Sequence, residues 1–441
     1  MRSSRDLVIV GAGPSGLFAA HHLSRTMPKL KILVLERGTK GAFGGNRPHT
    51  CPVDTEGLGG SGNYSDKLYF ERAGGFLEDR RSEDVEPFIS HVAEIFERFG
   101  GFSERDAFAL GRTKPQIPGL DFKPYKKLVP LRYADYRTFL RNMVNELIRN
   151  GVDIRFRKSV ESIIHKSSSF SLQLQDGSSL RSNNVLVATG RSSATWIRRQ
   201  AKMLGLRLGA SKPWIGIRVE TDAAFLKKLS GWSRDPKIKL PSPGSNSVTK
   251  THCVCFNGHV ISCRCDGMIL VDGTSLEVPS SNTSLNVITR IVGVTSYDRC
   301  RRIVDEMKAR GEGRPLVQKM GDFMKGIPTS PEKLNGNSVK PSLKSITPGE
   351  VSQQFPTEVT KNIIDFLELM QGKFPGMTRP DNLIYAPVFE WFSPKVQMNM
   401  TTAETSVPGL YVTGDAASLS QGVVMAAASG LWSGLKLEKL L

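Results

Sequence analysis

The stretch that most constrains the chain is its start, "DLVIVGAGPSGLFAAHHLSR", residues 6–25. A short apolar strand runs into Gly11-Ala-Gly13-Pro14-Ser15-Gly16, and a helix follows with Leu17, Ala20 and Leu23 on one side. Gly11 suits a tight turn, Gly13 lets backbone approach a pyrophosphate at a helix N-terminus, and Gly16 permits close helix-to-strand packing. A second apolar strand, "KILVLERG", ends in Glu36 beside Arg37, twenty residues after Gly16. A carboxylate there can accept both hydroxyls of an adenosine ribose. Strand, glycines, helix, strand and acid form a dinucleotide-binding fingerprint. Glu in place of Asp, and the long segment before the next regular element, favour non-covalently bound FAD over NAD.

The other end of the chain repeats the pattern. "GLYVTGDAASLSQGVVMAAASG", residues 409–430, is an apolar strand followed by a turn and helix of small residues. Such a segment suits a backbone that touches a ligand. Gly414 and Asp415 stand at the strand end, where the carboxylate can accept a ribityl hydroxyl. Gln421, Gly422 and Val423 open a helix whose amides can face the flavin N1 and O2 region. A third strand, "NNVLVATGRSS", brings Thr189 and Gly190, and a hairpin with its turn at Asp176-Gly177 precedes it. The arrangement resembles an FAD domain of the glutathione-reductase type, in which the strand at Ser159-Val160 passes the adenine.

The runs "GLGGSGNYSDKLYF" (57–70), "KPWIGIRVE" (212–220), "THCVCFNGHVIS" (251–262) and the C-terminal segment resemble, in order, motifs of a bacterial family of largely uncharacterised FAD-dependent dehydrogenases. That family is distantly related to the geranylgeranyl reductases. Its members commonly carry a further N-terminal domain, for which a fingerprint beginning at residue 6 leaves no room. The resemblance implies cofactor contacts at Gly60, Ser61 and Arg137, the last toward phosphates or the ribityl chain; a solvated helix charge is the competing reading of Arg137. The expected fold is α/β: a Rossmann FAD domain from residues 1–212 and 381–441, with an inserted α+β substrate domain at 213–380.

Four cysteines in "THCVCFNGHVISCRC" admit three readings: metal thiolates, a reactive or redox pair, or buried strand packing. A two-residue hairpin at Asn257-Gly258 would oppose Cys253 to Ser262. It would place Cys253 and Cys255 on one face and Cys263 and Cys265 on the other, so a metal site is not expected. His252, Cys253, Cys255 and Tyr64 are the candidates for catalysis, and His49 is a further histidine of the same ambiguity.

Among 441 residues, 60 Lys and Arg against 42 Asp and Glu leave a net charge of +18. The charge suits an anionic partner, whether a small-molecule or a carrier-bound substrate, and equally a solvated surface. Nucleic acid is disfavoured, because the basic residues lack interleaved aromatics. No apolar run reaches membrane-spanning length, no secretory segment precedes the first strand, and six cysteines in so long a chain do not form a secreted disulfide framework. A cytoplasmic location is expected. No second dinucleotide fingerprint occurs, so NADH or NADPH would visit only transiently as electron donor. The function expected is hydride exchange between flavin N5 and a carbon substrate. Flavin monooxygenation and a basic flavoprotein that binds or modifies RNA are the alternatives.

Overall fold

The computed structural model describes residues 5–41, 52–74, 85–108, 117, 120, 122–123, 125–225, 230, 232–243, 245–275, 278–291 and 296–441. Its first sheet is built on β1 (Arg5–Val10), which pairs in parallel with β2 (Ile32–Leu35) on one side and with the Ser179–Val187 strand on the other. Val8 aligns with both Leu33 and Val185. The Asp153–Arg155 strand extends the sheet beyond β2, and the Leu410–Val412 strand extends it beyond Ser179–Val187, all in parallel. Near-continuous apolar runs such as "LVIV" and "ILVL" are what strands covered on both faces require. The two ends of the chain therefore lie in one sheet. An antiparallel hairpin, Val160–Lys166 with Ser169–Leu174, adds to it through pairing of Ser169–Leu174 with Ser179–Ser182. The turn at Asp176-Gly177 closes as expected, with Gly177 at φ +80°.

Helix α1 (Pro14–Thr26) begins on a proline, whose fixed φ suits the first helical position, and packs against the last helix, Val423–Glu438. That contact explains much of the small-residue C-terminus. A Cβ on Gly430 would stand 2.1 Å from the Ser15 carbonyl oxygen, and one on Gly434 would stand 3.2 Å from the His22 Cβ. His22 and Glu438 join the two helices at 2.7 Å. Beneath them the Glu86–Gly100 and Tyr133–Arg149 helices close an aromatic core, with the Phe96 and Phe139 rings stacked at 4.2 Å.

The second sheet is mixed, mostly antiparallel, and centred on the Trp214–Asp222 strand, with Asn282–Arg290 on one side and Leu383–Glu390 on the other. Val248–Cys255, Lys237–Pro241 and Phe122–Lys123 follow beyond Asn282–Arg290. The boundary expected at residue 380 shifts. Leu383–Glu390 is buried along its whole length and belongs to this second sheet, and the chain rejoins the first sheet only at Leu410.

The expected hairpin at Asn257-Gly258 is also corrected. Val248–Cys255 pairs with Asn282–Arg290, whereas His259–Cys265 pairs with Met268–Thr274 in a separate three-stranded sheet. The two-residue turn lies instead at Asp266-Gly267, where φ is +51° and +76°, the left-handed pair a tight hairpin needs. Cys253 thus has no partner in Ser262, which aligns with Val271.

Candidate functional site

At the C-terminal ends of the parallel strands lies a cavity of about 310 Å³. This is where open α/β sheets bind ligands. Gly11 takes φ +111° and donates its amide to the Leu35 carbonyl at 2.7 Å, turning the chain out of β1. A Cβ on Gly13 would meet nothing within 4 Å among the described residues, and the same holds for Gly422; both glycines line the cavity. Gly422 caps the last helix at φ +82°. Pro14, Ser15, Gly60, Ser61, Val160, Thr189, Gly190, Gln421 and Val423 line the same cavity. The buried hydroxyl of Ser420, also in its wall, has no hydrogen-bond partner among the described residues.

Three of the cofactor-binding candidates, and Cys255 among the catalytic ones, stand outside that wall. Gly16 packs under the turn, where its missing Cβ leaves room for the Gly11 carbonyl. Gly414 packs against Ser15. Arg137 lies on the Tyr133–Arg149 helix with its guanidinium 5.4 Å from the Tyr133 ring centroid. His49 and Cys51 are outside the described residues.

Glu36 is buried at the end of β2. Its carboxylate accepts the amides of Ala12 at 2.9 Å, Gly38 at 2.8 Å and Gly57 at 3.1 Å, which ties the glycine turn to two later loops. Arg37 lines the cavity, donates to the Ser192 carbonyl at 2.9 Å and pairs with Glu56 at 2.9 Å.

Charged side chains gather where the strand ends of the first sheet face the second. Arg191 donates to Glu390 at 2.5 Å and to the Tyr64 hydroxyl at 3.1 Å. Burial pushes Glu390 up to about 7 against the pull of Arg191, and raises the Tyr64 phenol as well. Asp415 is pushed up to about 6 by burial, opposed by Arg191 and Ser393. Asp235, fully buried, accepts from Tyr69 at 2.6 Å, Lys237 at 2.6 Å and the Val254 amide at 2.9 Å. His252 lies 3.3 Å from Lys237, and burial with that ammonium holds its basicity well below that of free histidine. A histidine kept neutral in this way accepts protons poorly at neutral pH.

Cys253 lines the cavity and Cys255 lies behind it, their sulfurs 3.9 Å apart. Lys67 donates to the Val254 carbonyl at 2.7 Å and approaches the Cys255 sulfur at 3.6 Å. Arg218, with no exposed surface, donates to Ser284, Asn286 and the Cys253 carbonyl, the last at 3.1 Å. Lys67, Arg191, Arg218 and Glu390 carried no sequence signal. Each is an ordinary charge in the sequence until distant segments bury it. The nearest hint was Gly273, whose Cβ would stand 1.6 Å from the Arg218 guanidinium.

Residues 2–48 match the Thi4 family. A protein of Clostridium beijerinckii, described only as uncharacterized, is 21% identical over 457 residues, covering 96% of this chain and 79% of that protein. Among solved structures, glycine oxidase from Geobacillus kaustophilus is 13% identical, with a TM-score of 0.41 over 99% of this chain and 95% of its own. The tetracycline destructase Tet(51) is 11% identical, with a TM-score of 0.40 over 100% and 84%. The matched residues carry the glycine turn that opens the parallel sheet, and the cavity lies at that sheet's strand ends. No helix among the described residues is long and apolar enough to cross a membrane.

Proposed function

We propose that the cavity holds FAD and that the protein exchanges a hydride between the flavin and a carbon substrate, as a dehydrogenase or reductase. One observation carries the reading: the two ends of the chain meet at one cavity, with Gly13 and Gly422 both opening onto it at helix starts. Bound FAD would supply the two-electron acceptor. The residues present fit that group. The amides at the start of α1 suit a pyrophosphate, and the carboxylate of Glu36 keeps lone pairs for a ribose beyond the three amides it holds. The unpartnered Ser420 hydroxyl and Asp415 offer polar contacts at the other end, beside the amides that follow Gly422.

In this reading the first sheet is the glutathione-reductase-type FAD domain and the second is the substrate domain. The Tyr64–Arg191–Glu390 chain fixes charge on the wall between them and can move a proton at the Glu390 carboxyl, which titrates near neutrality. His252, held neutral, positions Lys237 rather than donating a proton. Lys67, Lys237 and Arg191 are paired with Asp66, Asp235 and Glu390, so the anionic small-molecule or carrier-bound substrate is proposed from the net charge of +18 and not from the cavity wall. NADH or NADPH would serve as a visiting donor.

An anaerobic titration of the purified protein with NADH, NADPH and candidate substrates, followed by flavin bleaching, tests the proposal. Bleaching by a carbon substrate or a nicotinamide is expected. Labelled oxygen from O2 appearing in a turnover product would replace hydride exchange with monooxygenation.

A further inference from the structure

Residues i and i+2 of a regular strand share a face but sit roughly 6.5 to 7 Å apart, too far for their sulfurs to react without movement. The Val248–Cys255 strand is not regular at its end. Its pairing with Asn282–Arg290 slips between His252 and Cys255, and Cys253 takes φ +49°, a left-handed conformation that a non-glycine residue adopts only where the surroundings impose it. The kink brings the two sulfurs to 3.9 Å.

The surroundings suit thiol chemistry. Lys67 lies 3.6 Å from the Cys255 sulfur, and Arg218 grips the Cys253 carbonyl from the buried side. The hydrogen bond from Cys253, then Lys67 and Arg218, bring the Cys255 thiol down to about 7 despite burial. Cys263 and Cys265, by contrast, are pushed up by burial and lie on the separate three-stranded sheet. Cys253 is partly exposed and forms part of the cavity wall, so the pair has one sulfur in the cavity and one near the cations.

From this geometry we infer that Cys253 and Cys255 are a redox-active pair that closes to a disulfide and passes two electrons to the flavin proposed for the cavity. The inference rests on that cofactor reading. Each thiol gives up its proton, one S–S bond forms, and the electron pair leaves to oxidised FAD. Bound flavin would accept that pair with one of the two protons, and the other would go to solvent. In reverse, the disulfide would take an electron pair and two protons and open to two thiols, so Cys253 and Cys255 would store a second electron pair.

The test uses the flavin-loaded full chain after air oxidation. Dithionite is added anaerobically, and thiols are alkylated in denaturant and mapped by mass. The oxidised protein should yield a peptide in which Cys253 and Cys255 are joined, and should take up two electrons per flavin beyond those the flavin itself accepts. Cys253→Ser and Cys255→Ser should each abolish the extra uptake while retaining the flavin spectrum. A protein that binds FAD yet keeps both thiols alkylatable, or takes up no extra electrons, overturns the inference and leaves the cofactor reading standing. A protein that cannot be loaded with FAD overturns both. Diamide treatment of the wild-type chain gives a check independent of the variants: failure to join the two sulfurs would exclude the pair as a dithiol.

Discussion

The carbonyl oxygen of Gly11 lies 2.0 Å from the point where a Cβ on Gly16 would stand. The turn and the first helical residues therefore share a space that no side chain can enter, while Gly13, between them, lines the cavity with no described atom within 4 Å of where its Cβ would stand. Gly16→Ala should destabilise the protein by roughly 1 to 3 kcal/mol, the usual cost of forcing atoms into a packed site. Gly13→Ala should leave the melting temperature of the flavin-free protein nearly unchanged but weaken FAD binding. Thermal melts of both variants, with flavin absorbance after gel filtration, separate the two glycines. Equal stability losses would remove Gly13 from the cofactor surface.

Glu36, proposed to face a ribose, also anchors the glycine turn. Since its carboxylate accepts three backbone amides, Glu36→Ala should weaken FAD binding and also loosen the loops at Gly38 and Gly57. Losing charge-assisted bonds to the cofactor is worth roughly 1.5 to 3 kcal/mol, or about ten- to a hundredfold in the dissociation constant. Equilibrium flavin binding checks the affinity, and hydrogen exchange at those amides checks the loops. An affinity equal to wild type would take Glu36 out of the site.

Asp415 gives a pH signature. Its folded-state value is raised to about 6 from 3.8, so the native state holds its proton more tightly than the unfolded chain. The stability this confers is present below about pH 4 and is lost as pH rises through about 6. Asp415→Asn should therefore gain on wild type across that window, by up to about 3 kcal/mol, in melts of the flavin-free protein from pH 4 to 7. A constant difference between the two proteins would mean that Asp415 is not held protonated by burial.

Arg191 and Glu390 form a buried pair. Removing the cation alone, as in Arg191→Met, leaves a carboxylate without its partner and should cost about 3 to 5 kcal/mol. Adding Glu390→Gln should recover part of that loss. A double-mutant cycle in urea measures the coupling, and additive effects would show that the 2.5 Å contact contributes little.

The N-terminal fingerprint was legible because its determinants are local. A left-handed turn at Gly11, a close approach at Gly16 and an apolar run buried on both faces each depend on residues within a few positions, so spacing alone predicts them. The hairpin at Asp176-Gly177 was legible for the same reason. The one expected at Asn257-Gly258 was not formed: Asn-Gly is a strong turn signal, but Asp266-Gly267 a few residues later is an equal one. Pairing of Val248–Cys255 with Asn282–Arg290, distant in sequence, decided between them. The small residues of the C-terminus were read as room for a ligand, yet Gly430 and Gly434 make room for α1.

By itself the sequence determined the glycine turn, the parallel strands that flank it and the return of residues 409–430 to the same cavity. Only the tertiary structure decided which charges face that cavity and how close Cys253 and Cys255 come. The physical reason is that Lys67, Arg191, Arg218 and Glu390 acquire their partners and their burial from strands separated by many residues. Electrostatics in a low-dielectric interior depends on those distances, and no local pattern encodes them.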